Sequence, residues 1–377
     1  MTVVKWVVGI AGAVLVTANL YDMVRALVVP RPHTSGPVAV ASRVVRNTLQ
    51  AGVGRVGSFA ARDHLLTTLE PAVMLLRLGI WLSAGLAGFA LIIWSTGNTS
   101  FGHSFIEAGS SIFTLGFATE NHPAPEVVAF LAAAFGLLVI ALQIAYLPAL
   151  YDSFNRRETL VTMLESRAGT PAWGPELLAR HHLVGIEGNL PVFYGEWERW
   201  SADVAESHTT YPALIYMRSP HPTNSWLVGL IAVLDSAALY MAVCPTAAPA
   251  EARLCVRMGF TCLRDIARAI RIPFDPDPRP DAGIELPFED FVAAVARLEQ
   301  AGVPLERTAE EAWPHFQGWR VNYESTAYTL TNIVFAPPGA WTGGRRYPEG
   351  ATDATSFPQR PVDRRPDKPE GDRVQSA

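Results

Sequence analysis

Between Thr96 and Pro125 the chain has no lysine and no arginine. Other shortages narrow the field. There are only three cysteines, Cys244, Cys255 and Cys262, and their spacing fits neither a zinc site nor a disulfide framework. They read as reduced, buried thiols. Charged residues are few, at 17%, against 49% hydrophobic. That balance is too apolar for a purely soluble protein and too polar for a chain lying wholly in a membrane. A net charge of -5 leaves no basic excess, so nucleic acid is not an expected partner. There is no glycine-rich dinucleotide fingerprint and no phosphate loop, and no internal repeat is evident. The adjacent His181 and His182 point to opposite sides of a helix, so no metal site is expected. The acidic stretch FDPDPRPD has too many prolines for a calcium loop and reads as a stiff linker. Without a nucleophile–base or metal constellation, the chain does not read as an enzyme, and no cofactor is expected.

A helix needs about 20 apolar residues to cross a bilayer. Three stretches qualify: Val3 to Val29, Ala72 to Ser95, and Glu126 to Tyr151. Arginines crowd the segment between the first two (Arg31, Arg43, Arg46, Arg55, Arg62) and follow the third (Arg156, Arg157, Arg167, Arg180). The positive-inside rule then places residues 30–71 and everything after 151 in the cytoplasm, with the N-terminus outside the plasma membrane. The first run could instead be a signal peptide, since Val16-Thr17-Ala18 resembles a cleavage site. Cleavage there would leave an Arg-rich loop outside, against the same rule. A fourth apolar run, Trp226 to Val243, carries Asp235 near its middle, where a charge costs ~3 kcal/mol on insertion scales. It reads as a buried core helix. The first span has no arginine series, so a voltage-sensing helix is not expected.

The segment between spans two and three has its own order: a short helix over 103–113, then Thr114-Leu115-Gly116-Phe117-Ala118, then prolines that lead into the third span. Irregular backbone at membrane depth survives only inside protein or along a water-filled cavity. This order therefore predicts a re-entrant pore loop over 103–118. A pore helix aims its negative C-terminal end at a cation, and an extended strand after it can offer carbonyl oxygens in place of water. The Thr114 hydroxyl would add an innermost oxygen, and Phe117 would pack outward against neighbouring pore helices. Gly116 supplies a left-handed conformation.

The Thr-Leu-Gly-Phe motif in this setting resembles the pore domain of potassium channels, in particular bacterial ones. Their two-span module carries a Thr-Val-Gly-Tyr-Gly filter. The resemblance covers residues 72–157; the AYLPALYDSFNRRE ending and the helices behind it look, more loosely, like bacterial proteins labelled as ion-channel family members. It implies passive conduction of a monovalent cation, K+ above all, through a filter built from Thr114, Leu115, Gly116, Phe117 and Ala118 of four subunits, hence a homotetramer. Ala118 stands where the family has its second glycine, and Thr119 where an aspartate is common. A left-handed conformation at Ala118 would cost ~1–2 kcal/mol and alter the outermost carbonyl ring. Gly136 resembles the family's inner-helix hinge glycine, and Pro148 would kink the helix at the inner mouth; both are gating candidates. Glu107 reads as the start of the pore helix, and Glu120 as an outer acidic ring that concentrates cations.

The expected architecture is an all-α membrane protein: an N-terminal transmembrane helix (1–29), a cytosolic Arg-rich loop (30–71), a pore domain (72–151), a helical cytosolic domain (152–337) and a disordered tail (338–377). Helices are predicted over 176–188, 191–206, 225–243, 251–271, 288–300 and 306–332. In the fourth of these, 251–271, Leu254, Met258 and Ile266 would face inward. The ligand or partner of the cytosolic domain is not legible. The second reading is a non-conducting, membrane-anchored regulatory or scaffold protein with a degenerate pore loop, and Ala118 is the feature that favours it.

Overall fold

The computed structural model describes residues 2–29, 37–53, 59–119 and 122–343. Among them all regular structure is helical: α1 (Thr2–Leu27), α2 (Pro37–Val53), α3 (Phe59–Thr96), α4 (Phe101–Ile112), α5 (Pro123–Ala168), α6 (Gly174–Val184), α7 (Leu190–Thr210), α8 (Ala213–Tyr216), α9 (Trp226–Val243), α10 (Ala250–Ala269), α11 (Phe288–Ala301), α12 (Ala309–Arg320) and α13 (Glu324–Ile333). Four of these helices, α1, α3, α5 and α9, are long and apolar enough to cross a membrane. They differ in what covers them. The apolar windows of α1, α3 and α5 are 11%, 33% and 28% buried by protein, whereas that of α9 is 94% buried. The apolar surface of α9 is therefore satisfied without lipid, as a core helix requires. The chain forms two compact units, residues 1–155 with 207–217, and residues 156–206 with 218–377.

In the first unit α1 lies antiparallel along α3: the Lys5 ammonium donates to the Gly97 carbonyl at 2.6 Å, and the Asn19 amide donates to the Trp81 carbonyl at 2.8 Å. Small residues permit this approach. A β-carbon on Gly12 would lie 2.6 Å from the Gly88 carbonyl oxygen, and one on Gly88 would lie 2.7 Å from the Val16 side chain. Glycines that let backbones meet are the usual device between apolar helices, where dispersion replaces the hydrophobic effect. Asp22 accepts from the Trp81 indole at 3.0 Å, and Arg25 lies over the Tyr21 ring.

Residues 30–71 are not simply a loop. Residues 37–53 form α2, with Pro37 in its first turn, and α3 begins at Phe59 rather than at 72. Pro71, just before the expected start at Ala72, lies inside α3. Arg46 of this stretch makes an ion pair with Glu70 at 2.8 Å and stacks over the Tyr216 ring at 3.8 Å, while Arg77 of α3 donates to the Ser42 hydroxyl at 3.0 Å. Glu70 is 1% exposed, and a buried carboxylate persists only with such a partner.

In the second unit α6, α10, α12 and α13 pack around α9. Asp235, the charge that argued against a span, meets its partner here. It is ion-paired with Arg320 and accepts from the Tyr323 hydroxyl at 2.7 Å. Arg320 also donates to Glu324 at 2.8 Å, the Tyr328 hydroxyl at 2.9 Å and the Trp341 carbonyl at 2.7 Å. Glu324 in turn accepts from the backbone amide of Leu286 at 3.1 Å. Every member of the network is thus satisfied, as a buried polar group must be.

Three boundaries differ from expectation. The stretch 306–332 is two helices, α12 and α13, separated at Val321–Tyr323. The buried stripe of α10 runs through Cys255, Val256, Gly259, Cys262, Leu263 and Ile266, whereas Leu254 is 48% exposed. Residues 338–343, expected to begin a disordered tail, hold Trp341 against Trp173 and Phe316, at ring separations of 5.9 and 5.5 Å. The rest of the tail, 344–377, lies outside the described residues. All three cysteines are buried free thiols.

Candidate functional site

The loop from Thr114 to Ala118 is positioned by α4. The helix starts at Ser100, whose hydroxyl accepts from the His103 amide at 3.3 Å and so caps the first turn. Glu107, expected at the start of this helix, instead sits in the middle of α4 and is fully buried. Ala108 and Ile112 join a core with Phe89 and Ile93 of α3 and with Ala132 and Phe135 of α5. The opposite face leaves Phe105 and Ile106 exposed.

At its C-terminal end the chain reverses. Thr114 has φ +54° and Gly116 φ +69°, both left-handed. For a β-branched residue this is a strained conformation, of order ~1–3 kcal/mol, held only where the surroundings over-determine it. Ala118, by contrast, is not left-handed. The strain expected at Ala118 lies at Thr114 instead, because the turn off α4 must be made at once.

Ser110 is what holds the turn. Its carbonyl accepts from the amides of Leu115 at 2.7 Å and Gly116 at 3.4 Å. Its hydroxyl accepts from the amides of Phe117 at 2.9 Å and Ala118 at 3.2 Å. Four successive N–H groups thus point toward one residue. In a trans peptide the C=O of one residue is antiparallel to the N–H of the next, and no cis bond occurs in this loop. The carbonyl oxygens of Thr114, Leu115, Gly116 and Phe117 therefore turn away from Ser110. The result is a row of four acceptors beside the negative end of α4. Leu115 and Phe117 are 63% and 69% exposed in the single chain, while Ala118 is buried.

Gly136 of α5 completes the seat. A β-carbon there would overlap the carbonyl oxygen of Ile112, so the glycine lets α5 cross directly behind the last turn of α4. This close approach by itself accounts for a glycine at the position. Pro148 lies inside α5, which is helical without interruption from Pro123 to Ala168. It is 12 residues beyond Gly136, roughly 18 Å along the helix at 1.5 Å per residue. The structure thus joins Thr114–Ala118 with Gly136 and leaves Pro148 apart. Glu120 lies outside the described residues. Ser110 escaped the sequence reading; its signal was a hydroxyl residue one helical turn before the Thr-Leu-Gly-Phe motif.

Chemically, one chain supplies a set of carbonyl oxygens, donors suited to a hard cation. It encloses nothing by itself. Comparison of the chain with protein-family models, curated proteins and solved structures gives no match.

Proposed function

We propose that the chain is one subunit of a homotetrameric cation channel of the potassium type, with ions passing through a filter formed by Thr114-Leu115-Gly116-Phe117-Ala118 of four copies. The observation that carries this reading is the row of four carbonyls turned away from Ser110. Helix capping alone accounts for the Leu115 amide on the Ser110 carbonyl, but not for the Phe117 and Ala118 amides on its hydroxyl. Turning those peptides the same way is what a filter that replaces a hydration shell needs. The exposed Leu115 and Phe117 support assembly, since in a ring of four each would meet a neighbouring chain. In this reading α1, α3 and α5 span the plasma membrane, with the N-terminus outside and the second unit in the cytoplasm, as the arginine distribution requires.

Ion flux from liposomes containing the purified protein tests the reading, with potassium and sodium compared. Potassium flux above that of empty liposomes is expected, and Gly116→Val should abolish it by forbidding the left-handed turn. Flux unchanged by that substitution would remove the filter assignment. A folded tetramer without flux would favour the membrane-anchored scaffold instead.

A further inference from the structure

The second unit contains a cavity of about 430 Å³ between the start of α10, the end of α9 and α12. Pockets of about 300–1,000 Å³ suit small organic ligands. This one has a one-sided charge: Arg253, Arg307 and His315 line it, and no carboxylate does. Among the described residues neither arginine is within ion-pair distance of an acidic side chain. Arg307 is steadied by donating to the Ala242 carbonyl at 3.1 Å, which leaves its remaining donors for a ligand. Glu306, beside Arg307 in the chain, is turned onto the backbone amides of Thr246 and Ala247 at 2.9 and 3.1 Å; those bonds first, with the Arg307 charge after them, hold it below the usual carboxylate range.

Two further features point the same way. The 20-residue helix α10 starts at the cavity, where Pro249 and Ala250 line it, and no side chain caps it. The Ala252 amide turns back to the Pro249 carbonyl and Glu251 lies in the same turn, which leaves the amides of Ala250 and Glu251 at the positive end of the dipole. The lining also includes the half-buried Trp319 and Met241, which give it an apolar part. The rim is fixed in advance: Glu306 and Arg307 amides donate to the Val243 carbonyl at 2.9 and 3.2 Å, and the Cys244 thiol donates to the Pro304 carbonyl at 3.3 Å. A preformed rim spares a ligand the entropy of ordering it.

We propose that this cavity binds a mononucleotide, its phosphate held by Arg253, Arg307 and the first amides of α10, and its base against Trp319. A bare phosphate would leave most of the volume and the tryptophan unused, and a neutral ring would leave the cations unpaired. The proposal goes beyond the pore reading and stands without it.

Isothermal titration of the full chain in detergent tests it, with AMP, GMP, inorganic phosphate and adenosine as probes. Saturable binding of at least one nucleotide is expected, about tenfold or more tighter than phosphate or adenosine. Arg253→Gln should weaken it about tenfold or more; Arg253 is exposed and makes no ion pair, so the unfolding midpoint should not change. Trp319→Leu should weaken the nucleotide and leave phosphate unaffected. Absence of nucleotide binding, equal binding by the Arg253→Gln protein, or phosphate binding as tight as nucleotide would each overturn the proposal.

Discussion

The backbone of Gly136 lies against the carbonyl oxygen of Ile112, so that the third long helix of the first unit crosses directly behind the end of α4. A methyl group at this position meets backbone, which cannot swing aside as a side chain can. Gly136→Ala should destabilise the protein by about 1–3 kcal/mol and displace the loop. Gly79→Ala, where a β-carbon meets nothing within 4 Å, is the matched control and should be neutral or slightly stabilising. Thermal unfolding of both variants in detergent checks the pair. Equal behaviour would show that α5 does not seat α4 in this way.

Ser110 predicts a more local failure. Ser110→Ala removes the acceptor for two amides, those of Phe117 and Ala118, and each buried donor left unmade costs about 1–3 kcal/mol. The helices should survive, because α4 keeps Ala108 and Ile112 in the core. Hydrogen exchange at Phe117 and Ala118 should speed up about tenfold or more, with exchange in α3 unchanged. Ser110→Thr, which keeps the hydroxyl, should restore protection. Unaltered exchange in Ser110→Ala would mean that another group holds the loop.

The buried pair in the second unit gives a pH prediction. Burial outweighs the attraction of Arg320 and raises Asp235 from 3.8 to about 6. With the folded value above the unfolded one, the folded state holds the extra proton. The resulting stabilisation is full below about pH 4 and is lost as pH rises through about 6. The difference in unfolding free energy between wild type and Asp235→Asn should therefore fall across that window and level off above it. Arg320→Leu, which strands Asp235 without its partner, should cost about 3–5 kcal/mol. Denaturant unfolding followed by tryptophan fluorescence measures both; a difference curve that rises with pH would contradict the assignment.

Much of the first unit could be read from the chain because lipid-grade helices announce themselves by length and apolarity. The errors have physical causes. The second span is expected to begin at Ala72, yet α3 begins at Phe59 and passes through Pro71, since the loss of one backbone bond is tolerated where packing holds the rest. In α2 the arginines drew attention to orientation, and Pro37, which favours a first helical turn, went unused as a start signal. The break at Val321–Tyr323 carries no glycine or proline, so periodicity ran across it. Asp235 flagged itself as a charge needing a partner, but Arg320 lies 85 residues away and only the fold brings them together. At the candidate filter, residue types were legible and peptide orientation was not. The role of Ser110 depends on where four amides point.

The central claim is that the loop from Thr114 to Ala118 lies in the path of the ion, and a thiol at Thr114 tests it most directly. The native cysteines give little background: all three are buried, and burial pushes the Cys244 thiol up to about 11 and raises Cys255 and Cys262 as well. They should not react with a positively charged thiol reagent near neutral pH. In liposomes, potassium flux through wild type should be indifferent to that reagent. Flux through Thr114→Cys should be blocked irreversibly, and potassium present in excess should slow the block by occupying the same site. A Thr114→Cys protein that still conducts and stays open after complete labelling would contradict the account.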